Sequence, residues 1–165
     1  MTPANARPSA AAVASFNPTQ WQGAIQSSAA ELSRIALSFS GPTTTDLADL
    51  ADTASLIGAH IPLVGRPSYE LWFVASRSGC GELATAVLGG MDVSTMPPSV
   101  TADAMCELIN MLGGGIKRRL VGSDLELGLP VFVNGSIEPT DRLSTTTYRL
   151  KLGAVEAFVV VLGPR

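Results

Sequence analysis

The sequence contains few of the residues from which metal sites are usually built. It has a single histidine, His60, and two cysteines, Cys80 and Cys106, without a Cys-x-x-Cys pair. A structural zinc site needs about four sulfur or imidazole ligands, so this composition argues against one. Two buried, reduced thiols in a cytosolic protein are the simpler interpretation of the cysteines.

Basic charge is also scarce. The chain carries a net charge of −3 and has an isoelectric point near 5.0. Apart from the cluster Lys117-Arg118-Arg119, its basic residues are scattered, whereas a nucleic-acid-binding domain usually carries a basic patch or stripe. The 165 residues, 46% hydrophobic and 15% charged, instead indicate one globular domain large enough to bury a core.

Long apolar runs are absent as well. No segment approaches the roughly 18 consecutive apolar residues of a membrane-spanning helix. The Ala/Pro/Ser-rich start has only a short apolar run, Ala10 to Ala14, which makes a poor signal-peptide core. We therefore expect a flexible tail over residues 1–16, a single domain over residues 17–165 and a cytoplasmic location.

Three helices are predicted from capping residues and apolar spacing. Asn17-Pro18 indicates the start of the first, because Asn is a good N-cap and Pro favours the first helical position. The segment SGCGELATAVLGG predicts a turn and a short helix, and Pro97-Pro98-Ser99 opens a long helix that ends near Gly122. The first helix should end at Gly41-Pro42, and its apolar stripe comprises Trp21, Ile25, Ala29, Leu32, Ala36 and Phe39.

The remaining apolar segments are typical of strands. SLIGAHIPLVG and SYELWFVAS, separated by Arg66-Pro67, predict a β-hairpin. LPVFVNG indicates a short strand, TTTYRLKL alternates, and the continuous run AFVVVLG suits a strand covered on both faces. Residues 43–53 are ambiguous between a loop and a short helical turn. The fold class is α/β (α+β), with a mostly antiparallel sheet packed by two long helices and one shorter helix.

The segment DAMCELINMLGGGIKRR raises a question, because it has helical apolar spacing and yet contains the triplet Gly113 to Gly115. Each Gly in a helix interior costs about 0.5–1 kcal/mol relative to Ala. At ~100° per residue, Asp103, Asn110 and Gly114 fall within about 60° of Glu107, opposite the apolar face. A polar stripe of this kind is often only a solvated helix face. A glycine on the stripe, however, leaves a notch at which another molecule can approach closely.

The segments ELINMLGGGIKRRL and LGLPVFVNG resemble the signature of the CheC/CheX/FliY chemotaxis phosphatases. That signature has Asp or Ser, then Glu, then Asn on one helix, followed by a Pro. The matching positions are Asp103, Glu107, Asn110 and Pro130, with a slightly short interval before the Pro. Gly-Gly-Met in AVLGGMDVS and the order of elements resemble the CheX type. The resemblance covers roughly residues 17–162 and implies a pseudo-symmetric CheX/CheC-like fold.

The resemblance also implies an activity, which is hydrolysis of phospho-aspartate on a CheY-like response-regulator receiver domain. Asn110 would orient the attacking water, and Glu107 would pair with the receiver's active-site lysine. The chain would need no cofactor of its own, because the phosphorylated receiver supplies the Mg²⁺. Asp103, Gly114 and Lys117 are further candidates for partner binding beside Glu107, and the CheX type implies a homodimer.

Some assignments stay open. Asp103 either extends the contact or stabilises the first turns of its helix through the macrodipole, and we favour the second. The cluster Lys117-Arg118-Arg119 complements the helix C-terminus in the interpretation that we favour, and it can also attract an acidic receiver. AAELSRIALSFSG echoes AMCELINMLGGG and places Glu31 opposite Glu107 but Arg34 opposite Asn110, which predicts one active helix.

Two other functions compete with the phosphatase. One is a non-catalytic interaction module of CheX type that binds a response regulator. The other is a dimeric structural domain that pairs through an edge of its apolar terminal strands.

Overall fold

A computed structural model describes residues 16–35, 39, 41–47, 55–120, 124–135 and 143–164. In this part of the chain, three α-helices pack on one face of a seven-stranded sheet. A short 3-10 helix, Val93–Thr95, precedes the last of the α-helices. The elements are α1 (Pro18–Ile35), β1 (Thr43–Leu47), β2 (Leu56–Val64), β3 (Tyr69–Ser76), α2 (Arg77–Val87), α3 (Pro98–Arg119), β4 (Glu126–Leu127), β5 (Val131–Asn134), β6 (Leu143–Leu152) and β7 (Val155–Pro164).

Helix α1 begins where its capping residues predict. The Asn17 side chain accepts a hydrogen bond from the backbone N–H of Gln20 at 3.2 Å, which satisfies one of the free donors at a helix start. The predicted apolar stripe is buried at Trp21, Ile25, Ala29 and Leu32. The predicted continuation to Phe39 is wrong at that residue, which is not helical but packs against the core. Residues 36–38 and 40 lie outside the described residues.

Phe16, which was predicted to belong to the tail, is part of the folded domain. Residues 1–15 lie outside the described part of the chain, but Phe16 packs against the core. Its ring centroid lies 5.8 Å from that of Trp21 and 6.1 Å from that of Tyr69. An aromatic side chain directly before the N-cap therefore fixes the entry of the chain into α1, which is the role of a hydrophobic residue at this position.

The sheet is antiparallel at every described pairing, as predicted. Its strands lie in the order β1-β6-β7-β3-β2-β4, and β5 also pairs with β2. The β2–β3 hairpin forms around Arg66-Pro67 as expected. Strand β1 corrects the ambiguous assignment, since Thr43–Leu47 pairs along β6, and residues 48–53 lie outside the described residues. Strand β4 was missed because two residues carry no periodicity.

The two terminal strands lie inside the sheet. Strand β6 alternates as predicted, with Tyr148, Leu150 and Leu152 buried and Arg149 and Lys151 exposed. Strand β7 is buried on both faces, as its continuous apolar run predicts. Strand β7 is paired on both sides, by β6 and β3, whereas within the described residues β1 pairs only with residues 147–151 of β6. Dimerisation through a strand edge is therefore contradicted for β7, and for the start of β6 it stays a prediction.

The main core lies between the helices and the inner face of the sheet. Helix α3 crosses this face next to α1 and α2 and contacts strands β2 to β5. A smaller cluster covers the outer face, with Val74, Val160 and Leu162 at its centre. The helix that carries the predicted site is thus anchored on several sides.

Candidate functional site

Helix α3 has the two faces that its sequence predicts. Its buried residues include Met105, Leu108, Ile109, Leu112 and Ile116, which belong to the main core. The opposite face exposes Asp103, Glu107, Asn110 and Lys117. Since the buried face is nearly inaccessible to solvent, the exposed side chains project from a rigid support.

Glu107 and Asn110 are neighbours on this exposed face, because residues three apart lie close together along a helix. Both are exposed, and neither makes a hydrogen bond or ion pair with another residue in the described ranges. Their carboxylate and carboxamide are therefore free to bind groups of another molecule.

The three glycines have different surroundings. A Cβ on Gly115 would lie 2.7 Å from Ser28 Oγ and 2.8 Å from Ser28 Cβ, so this glycine allows α1 to pack closely. A Cβ on Gly113 would lie 3.1 Å from Leu127 Cδ2 and 3.5 Å from Ile61 Cγ2, against the sheet. These two glycines therefore allow close packing against α1 and the sheet. This packing offsets the helix-propensity cost at two of the three glycine positions.

Gly114 is the glycine of the exposed stripe. A Cβ there would meet only Arg118 Nη1 at 3.7 Å and Leu127 Cδ1 at 3.8 Å, which are ordinary contact distances. The space above it is a partly exposed notch between the Arg118 guanidinium and the Leu127 side chain. The notch follows Asn110 by about one helical turn.

The basic cluster lies in the last turn of α3. Arg119 Nη1 donates to the carbonyl of Gly115 at 3.0 Å, and Arg119 Nη2 lies 2.9 Å from Glu31 Oε2. Arg118 Nη2 lies 3.4 Å from the same oxygen. These contacts complement the helix C-terminus, and only Lys117 of the cluster has no ion pair within the described residues.

Glu31 corresponds to Glu107 in the similar segments AAELSRIALSFSG and AMCELINMLGGG. The environments of the two carboxylates differ. The hydrogen bond from Arg119, followed by the charges of both arginines, holds the pKa of Glu31 below its ordinary value. Its carboxylate is thus already paired within the chain, whereas that of Glu107 is not. This contrast agrees with one active helix, which stays a prediction.

The structure gives no support to the favoured interpretation of Asp103, and its role stays a prediction. Helix α3 begins at Pro98, so Asp103 lies beyond the first turn, which contains no acidic residue. The macrodipole acts mainly within that turn. Asp103 is exposed, and its carboxylate contributes, after burial, to a raised pKa of the Cys106 thiol.

The loop before β5 lies on the other side of the exposed face. Leu127 borders Gly113 and Gly114, and the N–H of Gly128 donates to the carbonyl of Pro62 at 2.8 Å. Pro130 follows two residues later and is partly exposed, while Leu129 is 83% exposed. The sequence did not predict that Leu129 is exposed, because the local pattern does not distinguish an exposed leucine from a core leucine.

Other reactive groups lie apart from this face or are not activated. His60 stacks on Trp72 on the outer face of the sheet, with its Nδ1 buried and without a hydrogen-bond partner in the described ranges. Burial raises the pKa of Cys80 to about 11. Cys106 is only half-buried, so the expectation of two buried thiols holds for Cys80 alone. Neither thiol has the lowered pKa of a nucleophile.

A surface depression of about 670 Å³ lies between α2 and the segment Asp92 to Ser94. Neither Glu107 nor Asn110 lines it. The predicted site is therefore not a pocket but an exposed helix face. Among the described helices, none is long and apolar enough to cross a membrane.

Solved structures share this fold. A CheC-like superfamily protein from Shewanella sp. PV-4 matches with a TM-score of 0.73 at 17% identity, covering 91% of this chain and 100% of the other. CheX from Vibrio vulnificus matches with a TM-score of 0.72 at 18% identity, covering 87% and 99%. The CheX-CheY-BeF3-Mg²⁺ complex from Borrelia burgdorferi matches with a TM-score of 0.71 at 13% identity, covering 88% and 98%.

Sequence comparison gives the family. No curated protein matches the chain significantly. A family profile described as chemotaxis phosphatase CheX matches residues 57–148, more than half of the chain, including all of α3 with Glu107 and Asn110. The fold and this match agree with the resemblance seen in the sequence, and the chain belongs to the CheX family of chemotaxis phosphatases.

Proposed function

We propose that this protein hydrolyses phospho-aspartate on a CheY-like receiver domain. The CheX family carries the description of a chemotaxis phosphatase, and the relative from Borrelia burgdorferi was crystallised with CheY, BeF3 and Mg²⁺. The observation that carries the proposal for this chain is the free, adjacent pair Glu107 and Asn110 on the exposed face of a well-anchored helix.

Asn110 positions the attacking water. In the reaction, the water oxygen bonds to phosphorus, the bond from phosphorus to the aspartyl oxygen breaks, and the receiver carboxylate leaves. A carboxamide can accept a hydrogen bond from the water and donate one to a phosphoryl oxygen, and it adds no negative charge beside the phosphoryl group. Orientation of this kind supplies much of the rate in phosphoryl transfer.

Glu107 fixes the register of the complex. Its exposed carboxylate pairs with the lysine of the receiver's active site, so that Asn110 enters at the phosphoryl group. A charged pair that is desolvated at an interface chiefly sets orientation and specificity. The Mg²⁺ arrives with the receiver, so the proposal requires no metal ligands from this chain.

A protein substrate explains why the site is a convex surface. The phospho-aspartate lies on another folded domain, and a pocket could not admit it. An exposed helix whose opposite face is buried can insert two side chains into a shallow depression without bending. The notch at Gly114 lets the partner's surface approach the helix backbone.

The test measures phosphate release from a panel of phosphorylated CheY-like receiver domains, with and without this protein. We expect the wild type to accelerate phosphate release from at least one receiver. We also expect Glu107→Ala to bind that receiver more weakly than the wild type does. Binding without acceleration would identify a non-catalytic interaction module instead. Absence of both with every receiver would reject the proposal.

A further inference from the structure

A groove between α1 and α3 runs beside the proposed catalytic face. It has a volume of about 210 Å³ and is lined by Ser28, Glu31, Leu32, Ile35, Met111 and Arg118. Met111 directly follows Asn110 and lies about 40° from Glu107 around the helix, on the side of α1. The groove therefore begins where the catalytic face ends.

The apolar wall of this groove is unusually accessible. Ile35, in the last turn of α1, is 71% exposed and is one of the most exposed large apolar residues in the described chain. Met111 on the facing helix is partly exposed. A single exposed aliphatic residue needs no explanation, but two from different helices that line one groove form an apolar contact site, and methionine adapts readily to different partners.

The other end of the groove is cationic. Arg118 and Arg119 share one carboxylate, that of Glu31, at 3.4 and 2.9 Å. The three side chains together therefore carry one net positive charge, and Lys117 adds another. The Arg118 side chain is 63% exposed, so its charge is accessible to a partner.

Arg118 also joins the groove to the catalytic face. Its Nη1 atom lies 3.7 Å from the position of a Cβ on Gly114, while its Nη2 atom reaches Glu31 on α1. One guanidinium therefore borders both the notch and the groove. A partner that covers the notch also covers this guanidinium and reaches the groove beyond it.

The size of protein interfaces supports the same extension. A stable interface buries about 800 Å² on each partner, which is more than a single stripe of one helix provides. A receiver bound at Glu107 and Asn110 must also cover neighbouring surface. The carboxylates that hold Mg²⁺ and the phosphoryl group make the receiver acidic around its active site, and this charge complements the cationic end of the groove.

We propose that the α1–α3 groove is a second contact site for the same receiver domain and determines which receivers this protein accepts. Its occupant is an apolar side chain of the receiver, with an acidic group beside it that contacts Arg118. This inference rests on the proposed function, because the receiver is the substrate bound at Glu107 and Asn110.

The test compares Ile35→Ser and Met111→Ala with the control Val64→Ser. Val64 is 54% exposed and lies in β2, next to the core residue Leu63, so its side chain points to the outer face of the sheet, away from α1 and α3. The probe is a set of beryllofluoride-activated CheY-like receivers, and the dissociation constant is measured together with kcat and KM for the phosphorylated forms.

We expect Ile35→Ser and Met111→Ala to raise the dissociation constant and KM about tenfold, with kcat within about twofold of the wild type. Val64→Ser should change none of them. Unfolding midpoints above the assay temperature show that the variants fold; Ile35→Ser should change the midpoint little, and Met111→Ala should lower it more, because Met111 also packs against the core. The groove has no such role if both groove variants bind every receiver as tightly as the wild type.

The outcomes separate this inference from the proposed function. If the wild type binds a receiver without turnover and Ile35→Ser weakens that binding, the phosphatase proposal fails and the groove assignment stands. If the wild type turns over a receiver and the groove variants match it in KM, only the groove assignment fails. If no receiver binds the wild type, both fail.

Discussion

At the scale of single residues, Gly114 and Gly115 form a matched pair with opposite roles. Ser28, against which Gly115 packs, is buried and donates its hydroxyl hydrogen bond to the carbonyl of Ala24 at 2.6 Å. It therefore cannot move aside easily for a methyl group. Gly114 has only ordinary contacts at its Cβ position.

We predict that Gly115→Ala lowers the free energy of unfolding by about 1–3 kcal/mol through overpacking. Gly114→Ala should instead raise it by up to about 1 kcal/mol, because Ala has the higher helix propensity. Urea unfolding of the two variants measures the difference. Equal unfolding midpoints for both would contradict the assigned packing roles.

Glu31 provides a prediction about pH. Because Arg119 and Arg118 lower its pKa in the folded state from the ordinary value of 4.5, its ion pairs stabilise the fold above about pH 4.5 and lose this effect as pH falls through the lowered value. The effect should be small, since the pair lies near the surface.

The measurement is the difference in urea midpoint between the wild type and Glu31→Gln at about pH 7 and at about pH 3.5. We expect the difference to shrink at the lower pH. An Arg119→Gln background should reduce the difference at the higher pH. A difference that is independent of pH in both backgrounds would exclude the ion pair as its source.

At the scale of the element, α3 places a core residue directly beside a residue of the proposed catalytic face. Ile109 is fully buried in the main core, and Asn110 is exposed. We predict that Ile109→Ala lowers the free energy of unfolding by about 2–5 kcal/mol. Asn110→Ala should change it by no more than about 0.5 kcal/mol. If Asn110→Ala destabilised the fold as much as Ile109→Ala, its effect on activity would carry no information about catalysis.

Helices were the elements that the sequence predicted best. The capping residue Asn17 predicts the start of α1, and the apolar spacing predicts the faces of α1 and α3. These signals depend only on residues that are near in sequence, so they can be read before the tertiary structure is known. The buried and exposed faces of α3 followed directly from the same period. The roles of Gly113 and Gly115 did not, because they depend on Leu127 and Ser28, which only the folded chain brings close.

Long-range pairing accounts for the assignments that failed. Strand β1 has three threonines and no apolar alternation, and it is a strand because β6 offers it an edge. Phe16 looked like part of a tail because its partners, Trp21 and Tyr69, come from two different elements. The start of α3 at Pro98 was predicted correctly, so the distance of Asp103 from the first turn could already be counted in the sequence.

At the scale of the whole molecule, charge is distributed unevenly. The chain has a net charge of −3, yet Lys117, Arg118 and Arg119 cluster at the end of α3 beside the proposed catalytic face. An acidic receiver should therefore be attracted to this end of an otherwise acidic protein. The proposed homodimer stays a prediction, and the interior position of β7 excludes that strand as its edge contact.

We predict that raising the ionic strength from about 50 to about 300 mM raises KM for the phosphorylated receiver, because salt screens this attraction. Lys117→Ala should raise KM at the lower ionic strength and reduce its dependence on salt, with kcat unchanged. Lys151→Ala is a suitable control, since Lys151 is exposed on β6 of the sheet. Equal salt dependence in the two variants would remove Lys117 from partner binding.

The most direct test of the central claim is the turnover of a phosphorylated receiver by Asn110→Ala. If Asn110 orients the attacking water, kcat should fall by about a hundredfold or more, while the dissociation constant for the beryllofluoride-activated receiver stays within about threefold of the wild type. A variant that retains the wild-type kcat would contradict the claim that this helix face is the catalytic surface.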